Sequence, residues 1–434
     1  MHKSDIIVIG CGPGGMEVAS RALQQGLTVT VIERSHLGGT CLNRGCIPTK
    51  ALCRSAEVIR MIAGSAEFGV DVSSAVIDYS KAVERKDSVV ATLRENVAMM
   101  LSKAEIVTGE ARFISPEVVE VNGESYTAPR IVIATGSSPA SLDIPGASLA
   151  IDSDALLSAG KLPASMVIIG GGVIGMEFAC ILSAFGVDVT VLEYCKEILP
   201  NFDRDIAKRL HSSLSRGGMK IITGAQVTAI SEGKRVEYTA KRKPGSVDAE
   251  EVLMAVGRRP VVPDGAGQIG IEVNRSAIVV DDDFATSVPG IYAIGDVNAR
   301  MMLAHVASAQ GASVMGDRVN LGVVPAVAFT APECAMVGLT EELCKESGLN
   351  YKVTKSLYRA NGKAQLMGET DGMLKLIVDG DSLMILGCHV CGAHAADLVQ
   401  EAALAMASSL PVDAITSTIH AHPSLSEILH SATL

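Results

Sequence analysis

Positive charge is scarce in this chain and nowhere concentrated. Its 434 residues hold 37 Lys and Arg against 48 Asp and Glu, a net charge of −11. No basic block reaches the roughly five or six residues that mark a nucleic-acid or anionic-membrane surface, which leaves small molecules and proteins as partners. No apolar run approaches the length of a membrane span, about 20 residues. Ten cysteines are present, but they lack the spacing of a disulfide framework, so apart from one pair they are expected to be reduced thiols of a cytoplasmic protein. An apolar strand starts at Asp5, so no signal or transit peptide is expected. No metal site is expected either. His420 and His422 form a His-x-His pair with no evident third ligand.

What is present suits a multi-domain α/β protein. The length predicts about three domains at 100 to 200 residues each, and 48% apolar residues are ample for buried cores. Asp5 to Ile9 reads as a buried parallel strand. Gly10, Gly12 and Gly15 follow as a GxGxxG turn into a helix from about Gly14 to Gln25, and a second strand, Thr28 to Ile32, ends in Glu33. GxGxxG alone is a weak signal, but strand, turn, helix, strand and terminal acid in this order make a mononucleotide-binding βαβ unit. The glycines let the backbone approach a pyrophosphate at the helix N-terminus, and the carboxylate can accept hydrogen bonds from ribose hydroxyls.

The unit recurs. Met166 to Ile169 is a strand, Gly170, Gly172 and Gly175 form the turn, Val173 to Phe185 the helix, and Val187 to Leu192 the next strand, ending in Glu193. Two such sites in one chain imply electron transfer between two cofactors. A carboxylate at Glu193 repels a 2′-phosphate, so the second site is expected to prefer a dinucleotide without one, with Lys196 as the one nearby cation.

Between the two units lies Gly-Gly-Thr-Cys-Leu-Asn-Arg-Gly-Cys-Ile-Pro-Thr-Lys, Gly38 to Lys50. Pro48 is tolerated in the first turn of a helix, which puts Cys46 at a helix N-terminus, where unpaired N–H groups and the macrodipole favour a thiolate. Two close cysteines can also be a structural disulfide or part of a zinc site. The four-residue spacer between Cys41 and Cys46 and the want of a matching second Cys/His pair argue against zinc. Cys53 lies two helical turns from Cys46, about 10 Å, too far for a disulfide. Cys388 and Cys391, three apart in a β segment, should point to opposite faces and serve as packing residues. Cys11, inside the first glycine turn, has no role in this pattern.

The Cys41–Cys46 segment resembles the redox-active signature of the class I pyridine nucleotide-disulfide oxidoreductases, and the resemblance runs the length of the chain. It implies two Rossmann-like domains, for FAD and NAD, the second inserted in the first, plus a C-terminal α+β dimerisation domain. The boundaries implied are 1–143 with 265–322, 144–264, and 323–434, and turn-rich segments near Leu142 to Gly146 and Asp264 to Gly270 suit them. By the same resemblance FAD is held by Gly10, Gly12, Gly14, Gly15, Glu33, Gly39, Thr40, Lys50, Ala111, Thr135, Gly136, Asp296 and Ala304. NAD falls to Gly170, Gly172, Val173, Ile174, Gly175, Glu193, Val227 and Gly257. Ile131 to Gly136 and Gly290 to Asp296 read as further strands of the FAD domain, and Met302 to His305 as a helix start, with no catalytic role for the His305 side chain.

After about Pro325 the expected elements are β segments, including Met373 to Val378 and Met384 to Val390, and helices at Asp397 to Ala407 and Leu425 to His430. Histidine is the side chain whose ordinary pKa suits proton exchange near neutrality. A histidine before a proline is more often structural, but the resemblance makes His422 the catalytic base and Glu427 its partner, with Ser424 in place of the usual Thr. It also pairs Lys50 with Glu177 beside the flavin. The activity implied is oxidation of protein-bound dihydrolipoyl groups to lipoyl with reduction of NAD+, by a homodimer serving a 2-oxoacid dehydrogenase complex or the glycine cleavage system. The alternatives are an NAD(P)H-dependent glutathione or mercuric reductase and a non-catalytic flavin/NAD redox sensor. The first should carry arginines after the second βαβ unit and the second a terminal cysteine pair; neither is present. A sensor has no need of Cys41, Cys46, His422 and Glu427 together.

Overall fold

The structure is a computed structural model describing residues 1–433. The chain forms two compact units. One comprises Met1–Leu52, Ser80–Ala140 and Arg258–Leu321; the other comprises Cys53–Tyr79, Ser141–Gly257 and the residues from Gly322 on.

The first unit is built on a five-stranded parallel sheet ordered Ile291–Ala293, Arg130–Ile133, Ile6–Ile9, Val29–Glu33, Glu105–Thr108. Ile6–Ile9 and Val29–Glu33 are buried along their whole length, as strands covered on both faces must be. Helix Pro13–Gln24 packs on this sheet and on helix Ala304–Val314. The approach of the two helices requires glycine. A Cβ on Gly14 would lie 2.9 Å from the Ala307 oxygen, and one on Gly311 would lie 2.8 Å from the Gly14 oxygen. A small sheet with strands Arg112–Ser115, Val118–Val121 and Glu124–Thr127 shares a core with the parallel sheet around Phe113 and Tyr126.

The second unit repeats the device in a four-stranded parallel sheet, Lys220–Thr223, Asp188–Glu193, Ser165–Ile169, Glu251–Met254, with helix Val173–Ala184 following the glycine turn. Its C-terminal part is a five-stranded antiparallel sheet, Ala326–Ala328, Cys334–Gly338, Ile385–Cys391, Met373–Asp379, Tyr351–Leu357, covered by helix Ala395–Ala407. The mixed α/β architecture is the expected one.

Boundaries differ at several points. Arg130–Ile133 ends before Thr135 and Gly136, because Gly136 adopts φ +70° and turns the chain. The strand expected to reach Asp296 stops at Ala293, and Asp296 rides on a 3₁₀ turn, Gly295–Asn298. The last helix is Glu427–Ala432, two residues later than expected at each end. Cys334 and Cys391 face each other across adjacent strands, and both are fully buried. Cys388 is also buried, on the other face of the strand from Cys391. Among the described residues no helix is long and apolar enough to cross a membrane.

Within the second unit, Lys375 of strand Met373–Asp379 is 1% exposed, and its Nζ lies 3.0 Å from both Asp203 carboxylate oxygens, 2.9 Å from Asp205 and 2.6 Å from Glu341. Burial disfavours its ammonium, but hydrogen bonds to Glu341, Asp205 and Asp203 outweigh that and hold it above the usual lysine range. Burial likewise pushes the Asp205 carboxyl up, and bonds from Lys355 and Lys375 overcome it, to about 2. The Asp205 contribution to stability is therefore present above the unfolded carboxylate value, about 3.9, and lost as pH falls through about 2. Lys375→Met is expected to destabilise the fold by about 3–5 kcal/mol, because Asp203 would stay buried without its counter-charge. Equilibrium denaturation of both proteins checks this; a loss under about 1 kcal/mol would contradict it.

Candidate active site

The first glycine turn forms because two of its residues have no room for a side chain. Gly10 holds φ +97°, where a Cβ would strike the Ala134 carbonyl, and a Cβ on Gly15 would strike the Gly10 carbonyl. Gly12, by contrast, faces open space, and it precedes helix Pro13–Gln24 with no side-chain cap on the first-turn N–H groups. A bare helix N-terminus behind an open glycine is a cradle for a pyrophosphate. Gly39 packs on this turn: with φ +57°, its Cβ would lie 2.6 Å from Gly12 Cα.

Glu33 closes the cradle. Its Oε2 accepts the Cys11 N–H at 2.8 Å and its Oε1 the Ser35 N–H at 2.9 Å. Each carboxylate oxygen has two acceptor positions, so both keep one for a ribose hydroxyl. Cys11, unexplained by the sequence pattern, thus supplies a backbone latch, while its side chain fills the core beside Val18 and Ala19. Burial raises its thiol to about 11, far from a reactive cysteine.

The remaining residues expected around FAD lie in this same unit. Thr135 donates to the Val261 carbonyl at 2.5 Å, Ala111 sits against the core of the small sheet, and Ala304 opens helix Ala304–Val314. Asp296 accepts Ser137 Oγ at 2.5 Å, and Arg258 fixes Ser137 through its hydroxyl and its carbonyl, each at 2.7 Å. Gln310, nearly fully buried, accepts the Gly295 N–H at 2.7 Å and so anchors the turn carrying Asp296. Sequence reasoning missed Ser137, Arg258 and Gln310, whose partners are distant in the chain.

Cys41 lies in the short helix Gly39–Arg44, and Cys46 is the first residue of helix Cys46–Gly64, as Pro48 predicts. They form a dithiol. Cys41 is held well above the ordinary thiol range, first by its hydrogen bond with the Cys46 sulfur, then by burial and the Cys46 charge, with Lys50 pulling the other way. The Cys41 thiol is thus disfavoured from ionising near neutrality. Asn43, between the cysteines, was also missed. Its Nδ2 donates to the Leu37 and Gly39 carbonyls at 2.9 and 2.8 Å, and its Oδ1 accepts both Nε and Nη2 of Arg94.

In the second unit the glycine turn is rebuilt almost atom for atom. Gly170 at φ +107° leaves no room beside the Ala255 carbonyl, Gly175 none beside Gly170, and Gly172 is open before an uncapped helix. Val173 and Ile174 form the first turn of that helix. Glu193 is 5% exposed, and each of its oxygens accepts one N–H at 2.5 Å, from Gly171 and Cys195. Lys196 is exposed, Val227 is buried nearby in the core of this unit, and Gly257 faces open space at φ +111°. Glu177, 2% exposed on the nucleotide helix, accepts the Phe329 N–H at 2.9 Å.

His422 is 77% exposed, and its Nδ1 sits 2.9 Å from Glu427 Oε1. The other carboxylate oxygen accepts the Ser424 N–H at 2.8 Å. That backbone bond first, and then His422, hold the Glu427 carboxyl below its usual range, so it is an anion that orients the ring through Nδ1 and leaves the opposite edge in the open. Among the described residues no group of three or more His, Cys, Asp or Glu side chains is arranged to hold a metal ion.

A dithiol beside one nucleotide cradle, a second cradle and a carboxylate-backed histidine form the set of one family. Residues 4–311 match the pyridine nucleotide-disulphide oxidoreductase domain, and residues 324–433 match the dimerisation domain of the same enzymes. The chain belongs to the pyridine nucleotide-disulphide oxidoreductases. Among similar members is a dihydrolipoyl dehydrogenase of Geobacillus stearothermophilus, 40% identical over 99% of this chain and 95% of the relative. A dihydrolipoyl dehydrogenase of Chlamydia muridarum is 40% identical over 98% and 95%. Among solved structures, the HOCl-induced flavoprotein disulfide reductase RclA from Escherichia coli, in its Cu(II) complex, superposes with a TM-score of 0.89 at 31% identity, over 100% of this chain and 99% of the other. This oxidoreductase therefore matches both the nucleotide-binding and the dimerisation domains of the family.

Proposed function

We propose that the protein is a dihydrolipoyl dehydrogenase, a homodimer that oxidises dihydrolipoyl groups on a partner protein and reduces NAD+. The observation that carries this reading is the 40% identity, over nearly the whole chain, to enzymes of that name in a protein that holds the full thiol and histidine set. The division into 1–143 with 265–322, 144–264, and 323–434 is assigned to the FAD, NAD and dimerisation domains.

The residues expected around each cofactor fit it: bare helix N-termini for two pyrophosphates, and two strand-end carboxylates for two riboses. Gly10, Gly12, Gly14, Gly15, Glu33, Gly39, Thr40, Lys50, Ala111, Thr135, Gly136, Asp296 and Ala304 would hold FAD. Gly170, Gly172, Val173, Ile174, Gly175, Glu193, Val227 and Gly257 would hold NAD, and Glu177 is assigned with Lys50 to the flavin side of the reaction. When bound, FAD supplies a two-electron relay between the cysteine pair and NAD+.

The chain's own chemistry runs on thiols. The partner's His422, oriented by Glu427, takes the proton from one substrate thiol, and the sulfur keeps the electron pair. That thiolate attacks Cys41 of the oxidised Cys41–Cys46 disulfide, and Cys46 leaves as a thiolate. The second substrate thiol, giving up its own proton, then attacks the substrate sulfur of the mixed disulfide, closing the lipoyl ring and expelling Cys41, which takes a proton. The substrate has lost two electrons and the cysteine pair has gained them. Cys46 is left as the electron-rich sulfur beside a protonated Cys41.

The test is a steady-state assay of the purified protein with dihydrolipoamide and NAD+, beside NADP+ and beside glutathione disulfide with NADPH. Dihydrolipoamide with NAD+ should dominate kcat/KM. Glu193 opposes a 2′-phosphate, and an anion facing an anion there costs several-fold to hundreds-fold, about 1–3 kcal/mol. Preference for NADP+ or for glutathione disulfide would overturn the reading.

A further inference from the structure

His420 lies two residues before His422, and its ring is only 6% exposed where that of His422 is 77%. Its Nδ1 lies 2.9 Å from the Thr418 carbonyl and its Nε2 lies 2.9 Å from Glu401 Oε1. A peptide carbonyl and a carboxylate are acceptors with no proton to give, whereas a neutral imidazole has one donor and one acceptor. The ring therefore bridges a carboxylate at one end and a backbone carbonyl at the other, and both of its nitrogens are engaged.

The groups around this ring come from three elements. Helix Ala395–Ala407 supplies Glu401. Helix Glu427–Ala432 supplies His430, whose ring packs at 5.1 Å between centroids and whose Nε2 lies 3.2 Å from the Thr416 carbonyl, together with Glu427. The loop itself supplies His422, and its flanking Ile419 side chain is almost wholly exposed. Glu427 feels both histidines, since His422 and His420 each help hold its carboxyl ionised. The segment between Thr418 and Ser424 is otherwise exposed at Ile419, Ala421, His422 and Pro423. His420 fastens the near end of this segment to helix Ala395–Ala407, while Glu427 and Asn361 hold the far end at Ser424.

We propose that His420 is a positioning residue for His422: bridging Glu401 and the Thr418 carbonyl, it fixes the loop from which His422 reaches the substrate thiol. The proposal rests on the base role assigned to His422 above. A loop without this tether still presents a histidine, but not at one height and angle, and small misplacements of a base are costly.

The experiment compares His420→Gln, Glu401→Gln, His422→Gln and the double variant His420→Gln/His422→Gln in the holoenzyme. Two readouts are used: dihydrolipoamide oxidation by NAD+, and NADH oxidation by ferricyanide, which needs no dithiol base. Glutamine at 420 has both of its donors on one nitrogen, so it cannot reproduce the two separated contacts of the imidazole ring. His420→Gln is expected to lower kcat with dihydrolipoamide about tenfold with little change in KM. Glu401→Gln should act in the same direction, and both should leave the ferricyanide rate within about twofold of wild type. The double variant should be no slower than His422→Gln, because a residue acting only through His422 has nothing left to position.

Wild-type kcat in His420→Gln overturns the proposal, as does a wild-type Glu401→Gln. A parallel fall of both activities overturns it too, since that marks a general loss of structure, as does a double variant slower than His422→Gln by the full single-variant factor. If His422→Gln itself turns over normally, the base assignment fails, and the result is distinct from a failure at His420 alone.

Discussion

His422→Gln should lower dihydrolipoamide turnover by about 10²–10⁴, the range a general base contributes, and the lost activity should return in mixed dimers. The histidine lies in the stretch that matches the family's dimerisation domain, residues 324–433, and is exposed in the single chain. An exposed base has a use if a second subunit brings a thiol to it. In a two-fold dimer each site would combine Cys41 of one chain with the partner's His422, so the same contact completes both sites. His422→Gln and Cys41→Ser homodimers are each expected to be nearly inactive. When the two are dissociated and reassociated together, half the dimers are mixed and each mixed dimer has one intact site, so activity should recover to about a quarter of wild type. Efficient exchange of differently tagged subunits with no recovered activity would sink the shared site.

The second large effect separates the two cysteines. Serine at either position should reduce dihydrolipoamide turnover roughly a thousandfold or more, because no disulfide can form. The optical signature should distinguish them. Cys46 begins a helix, where N–H groups favour a thiolate, while Cys41 is held protonated by Cys46 and by burial. Two-electron-reduced holoenzyme should therefore absorb at long wavelength through a thiolate-to-flavin transition that Cys41→Ser retains and Cys46→Ser abolishes. Survival of the band without Cys46 would reverse the roles.

Much of this site was legible in the sequence because local sterics wrote it there. Gly10 and Gly15 are glycine because no Cβ fits, and the acid 22 residues after the turn recurs as Glu33 after Cys11 and Glu193 after Gly171. The place of Cys46 followed from Pro48 two residues on. What could not be read is what depends on chain folding: Arg94 reaching Asn43, Gln310 holding the turn under Asp296, and Lys375 meeting Asp203 172 residues away. No period or motif encodes such pairs. The strand-end carboxylates were read as ribose ligands, and the structure adds that they also clamp the loop they serve. Nor was the end of strand Arg130–Ile133 visible, since the turn beyond it is set by one positive φ at Gly136.

The buried cysteines have a chemical consequence for a protein that works by thiol–disulfide exchange. Any other thiolate within reach could intercept the mixed disulfide at Cys41 and strand the enzyme in a dead cross-link. Burial raises Cys180 to about 11 and Cys388 to about 12, carries Cys334 well above the ordinary range, and leaves Cys391 shut behind the sheet. A thiol that does not ionise near neutrality is no nucleophile, and one that solvent does not reach meets no oxidant. The interior thus keeps these four sulfurs out of the exchange reaction.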